Sequence, residues 1–513
     1  MAGSDSRRIA KNTLMLYFRM ILSMVISLYT SRVVLDVLGV SDYGVYGVVG
    51  GVIGMFSFLN ASMSGATSRF ITYELGRGDA NRLQQTFSSA MIVHIGIAVI
   101  VLILCETVGL WFLVNKLVIP ADAFNAALWV YQLSIISAMI SITQVPYTAC
   151  IISHEKMSIY AYIELINVSL KLAVVFMLQW LPGTKLIIYA ILLVSASTIV
   201  AMIYRVYAMR QFKECRFKPV FDKTIIKPLL SFSGWDIYGN LCGMAFYQGT
   251  TFLLNIFFGV VTNAANSIAN TVAGVLVGLS NNVTTAYRPH IIKQYARKDF
   301  AEMRSALNQG VTAVVLLSAL ISIPAFLEMP QIIRLWLGQE PPHTVAFCRI
   351  LIVFFMMGQI NAYCIIAIHA TGKIKWLSFA GGTIYLLTVP SIWLAFKIGM
   401  NPNWAYYIHV AGRVIILITD IVIMRNLIPE IGIRRFLLTI SRLCVAVVAS
   451  FFITYWIIQP LSDGFSRILI CGMTSTILLG ILAYIIVCNG KERQFVIAKI
   501  SAVATKFLAR NHQ

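Results

Sequence analysis

Charged residues are scarce in this chain. Asp, Glu, Lys and Arg together make up 12% of its 513 residues, whereas hydrophobic residues make up 59%. A soluble globular protein carries about 25% charged residues, which keep its surface hydrated. The composition therefore excludes an ordinary soluble domain and predicts a polytopic membrane protein.

Cysteine patterns typical of metal sites or disulfide frameworks are missing. The nine cysteines are spread over the whole chain, and no two of them form a Cys-x-x-Cys pair. Most fall in apolar segments, where cysteine acts as a small packing residue. The start of the chain, MAGSDSRRIAKNT, also lacks a small-residue cleavage site. We therefore expect the first apolar helix to serve as its own insertion signal.

Long apolar stretches are abundant, and each stretch of about 20 residues predicts a membrane-spanning helix. We expect about 14 spans. They lie near 13–37, 43–72, 84–114, 123–153, 158–181, 185–212, 226–258, 262–292, 303–337, 343–370, 374–398, 402–427, 435–459 and 464–488.

Acidic residues are half as numerous as basic ones, 20 against 40, which gives a formal net charge of +20. Most basic residues fall on one side of the predicted spans. The opposite side keeps Lys116, Lys185, Arg334, Lys397 and Arg467. Because Lys and Arg favour cytoplasmic segments, we expect both termini in the cytoplasm. The positive charge then reflects topology and contact with anionic lipid, and we expect no nucleic-acid partner.

The first half of the chain aligns with the second half without a gap over its opening spans. Leu38-Gly39 falls on Phe258-Gly259, and Gly76-Arg77-Gly78-Asp79 falls on Ala296-Arg297-Lys298-Asp299. A second alignment, in which the shift between the two halves is three residues smaller, places Lys156 on Lys373. Spans one and seven begin on the same side, so the halves are predicted to be parallel repeats about an axis along the membrane normal, as in transporters.

The predicted fold is therefore an all-α polytopic membrane protein with two parallel six-helix bundles and two C-terminal helices. We expect the bundles at 1–213 and 214–430, helices 13 and 14 at 431–490, and a basic cytoplasmic tail at 491–513.

Residues 31–47, SRVVLDVLGVSDYGVYG, resemble the opening of bacterial polysaccharide flippases. The Leu38-Gly39 pair, the following Tyr43-Gly44-Val45-Tyr46 and the helix ending Ser68-Arg69-Phe70-Ile71 carry the resemblance. These flippases belong to the multidrug/oligosaccharidyl-lipid/polysaccharide (MOP) exporter superfamily. The resemblance implies an inner-membrane protein that moves an undecaprenyl-pyrophosphate-linked oligosaccharide to the periplasmic leaflet, for lipopolysaccharide or capsule synthesis.

The resemblance implies no enzyme chemistry and no cofactor. The energy source stays open, with proton or sodium coupling as the candidates. The expected partners are the lipid-linked oligosaccharide and membrane lipid, and other polysaccharide-assembly proteins are further candidates. No metal site is predicted.

Charged residues inside the spans are costly to insert and therefore are candidates for function. The cationic candidates for binding pyrophosphate in a cavity are Arg19, Lys171, Arg349 and Arg413. Arginine suits this role because its planar guanidinium binds phosphate oxygens bidentately. A structural ion pair is the competing interpretation, since Asp420 lies seven residues after Arg413 on the same helix face.

The acidic candidates for ion coupling are Glu164, Asp236 and Asp420. Glu164 and Lys171 stand seven residues apart on one face, about 10 Å along the helix axis, which is too far for a tight pair. Asp236 has Trp235 and Tyr238 beside it, and their rings could stack on sugars. Because the deep acids and deep cations are similar in number, a net-positive cavity is a hypothesis.

Three other functions share parts of this pattern. A cation-coupled drug antiporter of the same superfamily would be expected to have a cavity dominated by acids, and Arg19 and Arg413 disfavour it. A peptidoglycan-precursor flippase shares the topology and much of the physics. A polymerase or ligase would need a sizeable outer loop for its catalytic groups, and the predicted outer loops are short.

Overall fold

A computed structural model describes residues 57–115, 124–218, 221–337 and 340–488. It also describes Arg493 and scattered helical residues between 14 and 38, among them 17–23. The described residues form helices joined by short turns, without strands. Gly39, most of the motif at 31–47 and the predicted tail at 491–513, apart from Arg493, lie outside the described residues.

The helices follow the apolar segments closely. In chain order they are α1 Ser57–Arg77, α2 Ala80–Asn115, α3 Phe124–Ser153, α4 Met157–Trp180, α5 Lys185–Gln211, α6 Lys223–Gly259, α7 260–296, α8 Phe300–Leu327, α9 Met329–Leu337, α10 Thr344–Thr371, α11 Lys375–Lys397, α12 Asn403–Leu427, α13 Ile433–Ile458 and α14 Phe465–Val487.

Eleven helices within the described residues are long and apolar enough to cross a membrane. They are α2 to α6, α8 and α10 to α14, and each corresponds to one predicted span. Of the other three predicted spans, 13–37 is described only in scattered residues, 43–72 is described from residue 57 as α1, and 262–292 is α7. The all-helical membrane fold is confirmed.

One predicted span is divided in the structure. The segment 303–337 forms α8 and the short helix α9, which are separated at Glu328. Pro330 is the second residue of α9, where a missing backbone N–H costs nothing. The prediction of a single helix was wrong here, because Glu328 and Pro330, which signal a helix boundary, were included in one apolar stretch.

The turns that follow α1 and α7 have the same backbone conformation. Gly78 and Lys298 both have a left-handed φ, +77° and +59°. In each turn the next residue is an aspartate, and its carboxylate accepts a hydrogen bond from the backbone N–H three residues on, at 3.0 Å in both cases. The sequence match that pairs Gly78 with Lys298 is confirmed for this turn.

The second register is visible in the same way. Glu155 follows α3 with a φ of +60°, and Gly372 follows α10 with a φ of +77°. These are equivalent positions, because the register that places Lys156 on Lys373 places Glu155 on Gly372. The left-handed conformation costs a non-glycine residue about 1–2 kcal/mol, so Glu155 carries a strain that Gly372 does not.

The break between α6 and α7 depends on a glycine. Gly259 has a φ of 77° and a ψ of −170°, a region that only glycine occupies readily. This is the position that the sequence match pairs with Gly39, which itself lies outside the described residues.

The described residues form two compact units. Unit 1 comprises those of Met1–Met244, Thr285–Met303 and Ile366–Thr383, and unit 2 comprises those of Ala245–Thr284, Arg304–Ile365 and Ile384–Gln513. The core of unit 1 packs around Phe87, Tyr131 and Tyr204. The core of unit 2 packs around Phe246, Phe354 and Tyr406. The predicted bundle boundaries at 213 and 430 stay a prediction.

Candidate functional site

Arg19 reaches an aromatic hydroxyl in unit 1. Its Nη1 donates a hydrogen bond to the Tyr160 hydroxyl at 3.2 Å, and its Cζ lies 5.1 Å from the centre of the Tyr160 ring. Its Nε is buried without a hydrogen-bond partner among the described residues. No described carboxylate lies within 4 Å of the guanidinium. The positive charge of Arg19 is therefore held by neutral groups there.

Glu164 lies one turn along α4 from Tyr160 and accepts two hydrogen bonds. The Tyr204 hydroxyl donates to Oε1 at 2.9 Å, and Asn167 Nδ2 donates to Oε2 at 3.4 Å. The rings of Tyr160 and Tyr204 are 6.4 Å apart, centre to centre. Two predicted candidates from different categories, Arg19 and Glu164, thus belong to one polar network that is bridged by tyrosines.

Arg413 lies over aromatic rings in unit 2. Its Cζ is 4.2 Å from the centre of the Phe354 ring and 5.5 Å from that of Tyr385. Its Nε is buried without a hydrogen-bond partner in the described part of the chain. No ion pair involves Arg413 among the described residues. Cation–π contact stabilises the guanidinium and leaves its charge in place.

Asp420 is buried on α12, seven residues after Arg413. This is about two helical turns. Asp420 is 1% exposed, and neither carboxylate oxygen has a hydrogen-bond partner among the residues that the structure describes. Asn361, also 1% exposed, is a polar neighbour on α10. Burying a carboxylate is costly unless polar or charged neighbours stabilise the anion, and Asn361 and Arg413 are the neighbours with which Asp420 interacts.

Arg349 and Lys171 have placements that favour structural or surface roles. Arg349 donates to the carbonyl oxygens of Phe326 and Leu327 at 2.8 and 3.2 Å, which are the last residues of α8. A cation that binds the terminal carbonyls of a helix also complements its dipole. Lys171 is exposed on α4.

Asp236 is close to an arginine that sequence reasoning assigned to topology alone. A Cβ at Gly65 would lie 3.9 Å from Asp236 Oδ2 and 3.8 Å from Arg288 Nη2. Arg288 Nη2 is also 3.0 Å from His369 Nδ1. Trp235 and Tyr238 make an edge-on ring contact with each other, 6.2 Å between centres. Asp236 therefore shares its surroundings with a buried basic group.

Three arginines that the topology prediction includes among the cytoplasmic basic residues are partly or fully buried within helices. Arg69 donates to the His369 and Ala370 carbonyls at 3.2 and 3.0 Å, and Arg205 donates to Thr143 Oγ1 at 2.8 Å. The third is Arg288. The sequence held a signal for all three, because each lies inside a predicted span and not in a loop.

A cavity of about 620 Å³ lies where α12 meets α13. Met424, Arg425, Asn426, Ile428, Pro429, Ile431, Gly432, Ile433 and Arg434 line it. None of the seven candidate residues is among them. The described residues contain no group of three His, Cys, Asp or Glu side chains that could hold a metal ion.

Solved structures share this arrangement of helices. An outward-facing multidrug resistance MATE family transporter of the MOP superfamily matches with a TM-score of 0.69 at 13% identity, over 83% of this chain and 97% of that one. The chain has the fold of a MOP-superfamily transporter. A MATE structure in the bent conformation matches with a TM-score of 0.70 at 12% identity, over 83% and 96% of the two chains.

A third similar structure is a MOP superfamily transporter from Pyrococcus furiosus, for which a reverse polarity of the binding pocket suggests a different function. It has a TM-score of 0.67 at 12% identity, over 83% of this chain and 96% of that one. No protein-family model and no curated protein matches this chain. The likeness therefore shows the fold alone.

Proposed function

We propose that this protein flips an undecaprenyl-pyrophosphate-linked oligosaccharide across the bacterial inner membrane for surface polysaccharide synthesis. The observation that carries the proposal is the state of Arg19 and Arg413. Both are membrane-embedded, both contact aromatic rings, and neither forms an ion pair within 4 Å with a described carboxylate. An arginine that keeps its charge inside a transporter fold suits an anionic substrate.

The physical demands of the substrate fit these groups. A pyrophosphate needs cations as it crosses a low-dielectric slab, and guanidinium binds phosphate oxygens in a fixed fork. A sugar headgroup needs polar groups and ring faces, which Tyr160, Tyr385 and Phe354 could offer beside the two arginines. The polyprenyl chain can stay in lipid.

Glu164 and Asp420 are the carboxylates that we propose for ion coupling. Glu164 shares a tyrosine-bridged network with Arg19, so a change in its charge would act on the cation next to it. Asp420 is buried on the same helix as Arg413. Asp236 remains a third candidate beside Arg288. Whether a proton or sodium ion is exchanged is for experiment to decide.

A drug antiporter is the second candidate, because the multidrug MATE transporter above has the same fold. An antiporter of organic cations would repel its substrate with unpaired arginines, which disfavours it for this chain. The P. furiosus transporter illustrates that pocket polarity varies within this superfamily. A peptidoglycan-precursor flippase also carries a pyrophosphate, so only substrate analysis separates it.

The test is depletion of the protein in its native host with analysis of lipid-linked intermediates. We expect complete oligosaccharide units to accumulate on the cytoplasmic leaflet and surface polysaccharide to fall. Unchanged polysaccharide with increased sensitivity to cationic drugs would support the antiporter instead. Arrest of peptidoglycan synthesis would support the precursor flippase.

Complementation with point variants tests the two arginines. We expect Arg413→Ala and Arg19→Ala to lower export at least about tenfold, because each removes a charge–phosphate interaction of about 1.5–3 kcal/mol. Lys397→Ala is the matched control, since Lys397 also lies over a ring, 4.8 Å from the centre of Trp393, but is exposed at the end of α11. Full export by both alanine variants would remove the arginines from the site.

A further inference from the structure

Equivalent positions of the two repeats touch each other in unit 1. A Cβ at Gly76 would lie 2.6 Å from the Cβ of Ala296 and 3.0 Å from the carbonyl oxygen of Lys293. The sequence match pairs Gly76 with Ala296. Positions related by a two-fold axis lie on opposite sides of it at equal distance, so their contact places the axis between the ends of α1 and α7. This is the predicted cytoplasmic end of both helices.

An ion pair lies on one side of this contact. Lys293, on α7, donates to Glu155 Oε1 at 2.8 Å, and the two side chains are 18% and 3% exposed. Glu155 follows α3, so the pair joins the second sequence half to the first. Glu155 also holds a left-handed φ of +60° that a glycine would adopt without strain. We call this contact the Glu155 latch.

A second contact between the sequence halves involves an arginine. Arg69, on α1, donates to the carbonyl oxygens of His369 and Ala370 at the end of α10. Its guanidinium also contacts the rings of Phe70 and Tyr73, at 4.6 and 4.8 Å from their centres. A Cβ at Gly372 would come within 2.7 Å of Arg69 Nη2. We call this contact the Arg69 latch.

The two latches join corresponding helices of the duplicated fold, but their cations are not repeat mates, because the register pairs Lys293 with Tyr73 and Arg69 with Pro289. The turn after α3 corresponds to the turn after α10, and α7 corresponds to α1. Position 155 is Glu in the first repeat, and its equivalent 372 is Gly in the second. The first turn supplies a carboxylate to Lys293, whereas the glycine of the second turn leaves room for the Arg69 guanidinium, which donates to carbonyls at the end of α10. Corresponding helix ends meet in both latches, but the contacts differ.

The Arg69 latch continues into a second buried contact. His369, whose carbonyl binds Arg69, also accepts or shares a hydrogen bond with Arg288 Nη2 through Nδ1 at 3.0 Å. Phe232, on α6, makes an edge-on contact with the His369 ring, 5.2 Å between centres. Four helices of both sequence halves, α1, α6, α7 and α10, therefore meet at one histidine.

We propose that the Glu155 and Arg69 latches are one device that holds the predicted cytoplasmic ends of the two repeats together and opens as a unit during transport. Parallel repeats that alternate access must separate at this end in one state. Both latches join the first repeat to the second, so separating the repeats at this end stretches both. The inference rests on the proposed transport function, but not on the identity of the substrate.

The test is hydrogen–deuterium exchange of the full-length protein in nanodiscs of phosphatidylethanolamine and phosphatidylglycerol. Glu155→Gly removes the carboxylate, relieves the left-handed strain and copies the glycine of the other repeat, so folding is preserved. We expect exchange at 369–373, in the untouched latch, to rise at least about tenfold. Gly372→Ala, which displaces Arg69, should raise exchange at 153–157 in the same way.

Lys298→Gly is the matched control. Lys298 is exposed at the same end with a φ of +59°, so the variant also relieves strain and removes a charge, without touching either latch. Exchange at both turns should stay at the wild-type rate. If Glu155→Gly and Gly372→Ala each change exchange only at their own turn, the latches are separate local contacts and the proposal fails.

Discussion

Four arginine side chains inside the helices of this protein bind neutral partners. Arg69 and Arg349 donate to backbone carbonyls, Arg205 donates to a threonine hydroxyl, and Arg413 lies over aromatic rings. A buried cation needs partners because desolvation is costly, yet neutral partners leave its charge uncompensated. These deep arginines differ from arginines that form exposed ion pairs at the helix ends, such as Arg334 with Glu340.

A residue-scale prediction concerns Glu214, which lies in the connection between α5 and α6. Burial raises the pKa of its carboxyl, but a hydrogen bond from His154 at 2.6 Å and a backbone N–H outweigh burial, so the net pKa lies below its ordinary 4.5. A lowered pKa contributes stability above pH 4.5, and that stability is lost as the pH falls through the folded-state pKa.

We therefore expect Glu214→Gln to lower the free energy of unfolding by about 1 kcal/mol at pH 7. The difference from wild type should shrink as the pH falls below 4.5, since the wild-type carboxyl then also becomes neutral. Thermal unfolding of the purified protein at several pH values measures this. Glu340→Gln, which breaks an exposed ion pair, should change little at any pH. An equal loss at all pH values would contradict the assignment.

Helices of this protein pack at close range where a glycine meets an aromatic ring. Gly310 on α8 faces the fully buried Tyr363 of α10, and a Cβ at Gly310 would overlap the Tyr363 ring. Gly109 on α2 faces Tyr131 of α3 in the same manner. Small residues allow helix backbones to approach, which is the main source of packing energy in a membrane.

The element-scale prediction compares two glycines in helices. Gly310→Ala should lower stability by about 1–3 kcal/mol, because the added methyl group overpacks the α8–α10 contact. Gly96→Ala in α2 should be neutral or raise stability by up to about 1 kcal/mol, because no atom lies within 4 Å of the new Cβ. Melting temperatures in one detergent test both variants. Equal melting temperatures would show that the α8–α10 contact is looser than described.

The whole molecule is a duplicated helical scaffold with non-duplicated chemistry. Equivalent turns have equivalent backbones, as at Gly78 and Lys298, because the turn geometry fixes the direction of the next helix. Arg19 and Arg413 are not repeat mates, and Glu155 corresponds to Gly372. The two halves match in their turns, while single side chains differ between them.

The whole-molecule prediction is the orientation in the membrane. Phe217 lies in the basic connection before α6, and Ser462 lies between α13 and α14. Each is replaced by cysteine in a separate variant, Phe217→Cys and Ser462→Cys. In spheroplasts we expect an impermeant maleimide to label Ser462→Cys at once and Phe217→Cys only after permeabilisation. Cys444 and Cys488 are replaced by Ser in this background, because the other cysteines are buried. The reverse labelling pattern would invert the topology.

The lengths of the apolar stretches were enough to predict most of the fold from the sequence. A backbone in lipid must satisfy its own hydrogen bonds, so each long apolar run becomes a helix. Eleven predicted spans correspond to described membrane-length helices for this reason. The division at Glu328 escaped prediction, because the partner of the free carbonyls at the end of α8 is set by packing. Here Arg349 on α10 donates hydrogen bonds to them.

Hydrophobicity and internal repetition, which can both be read from the sequence, were enough to predict a duplicated helical membrane protein and to identify its deep charges. The tertiary structure alone decided what each charge contacts. It brought Arg19 and Glu164 into one network, placed Lys171 at the surface, and buried Arg69 and Arg288 at the end where α1 and α7 meet. Helix periodicity gives a face, but the neighbour on that face depends on packing between segments far apart in the chain.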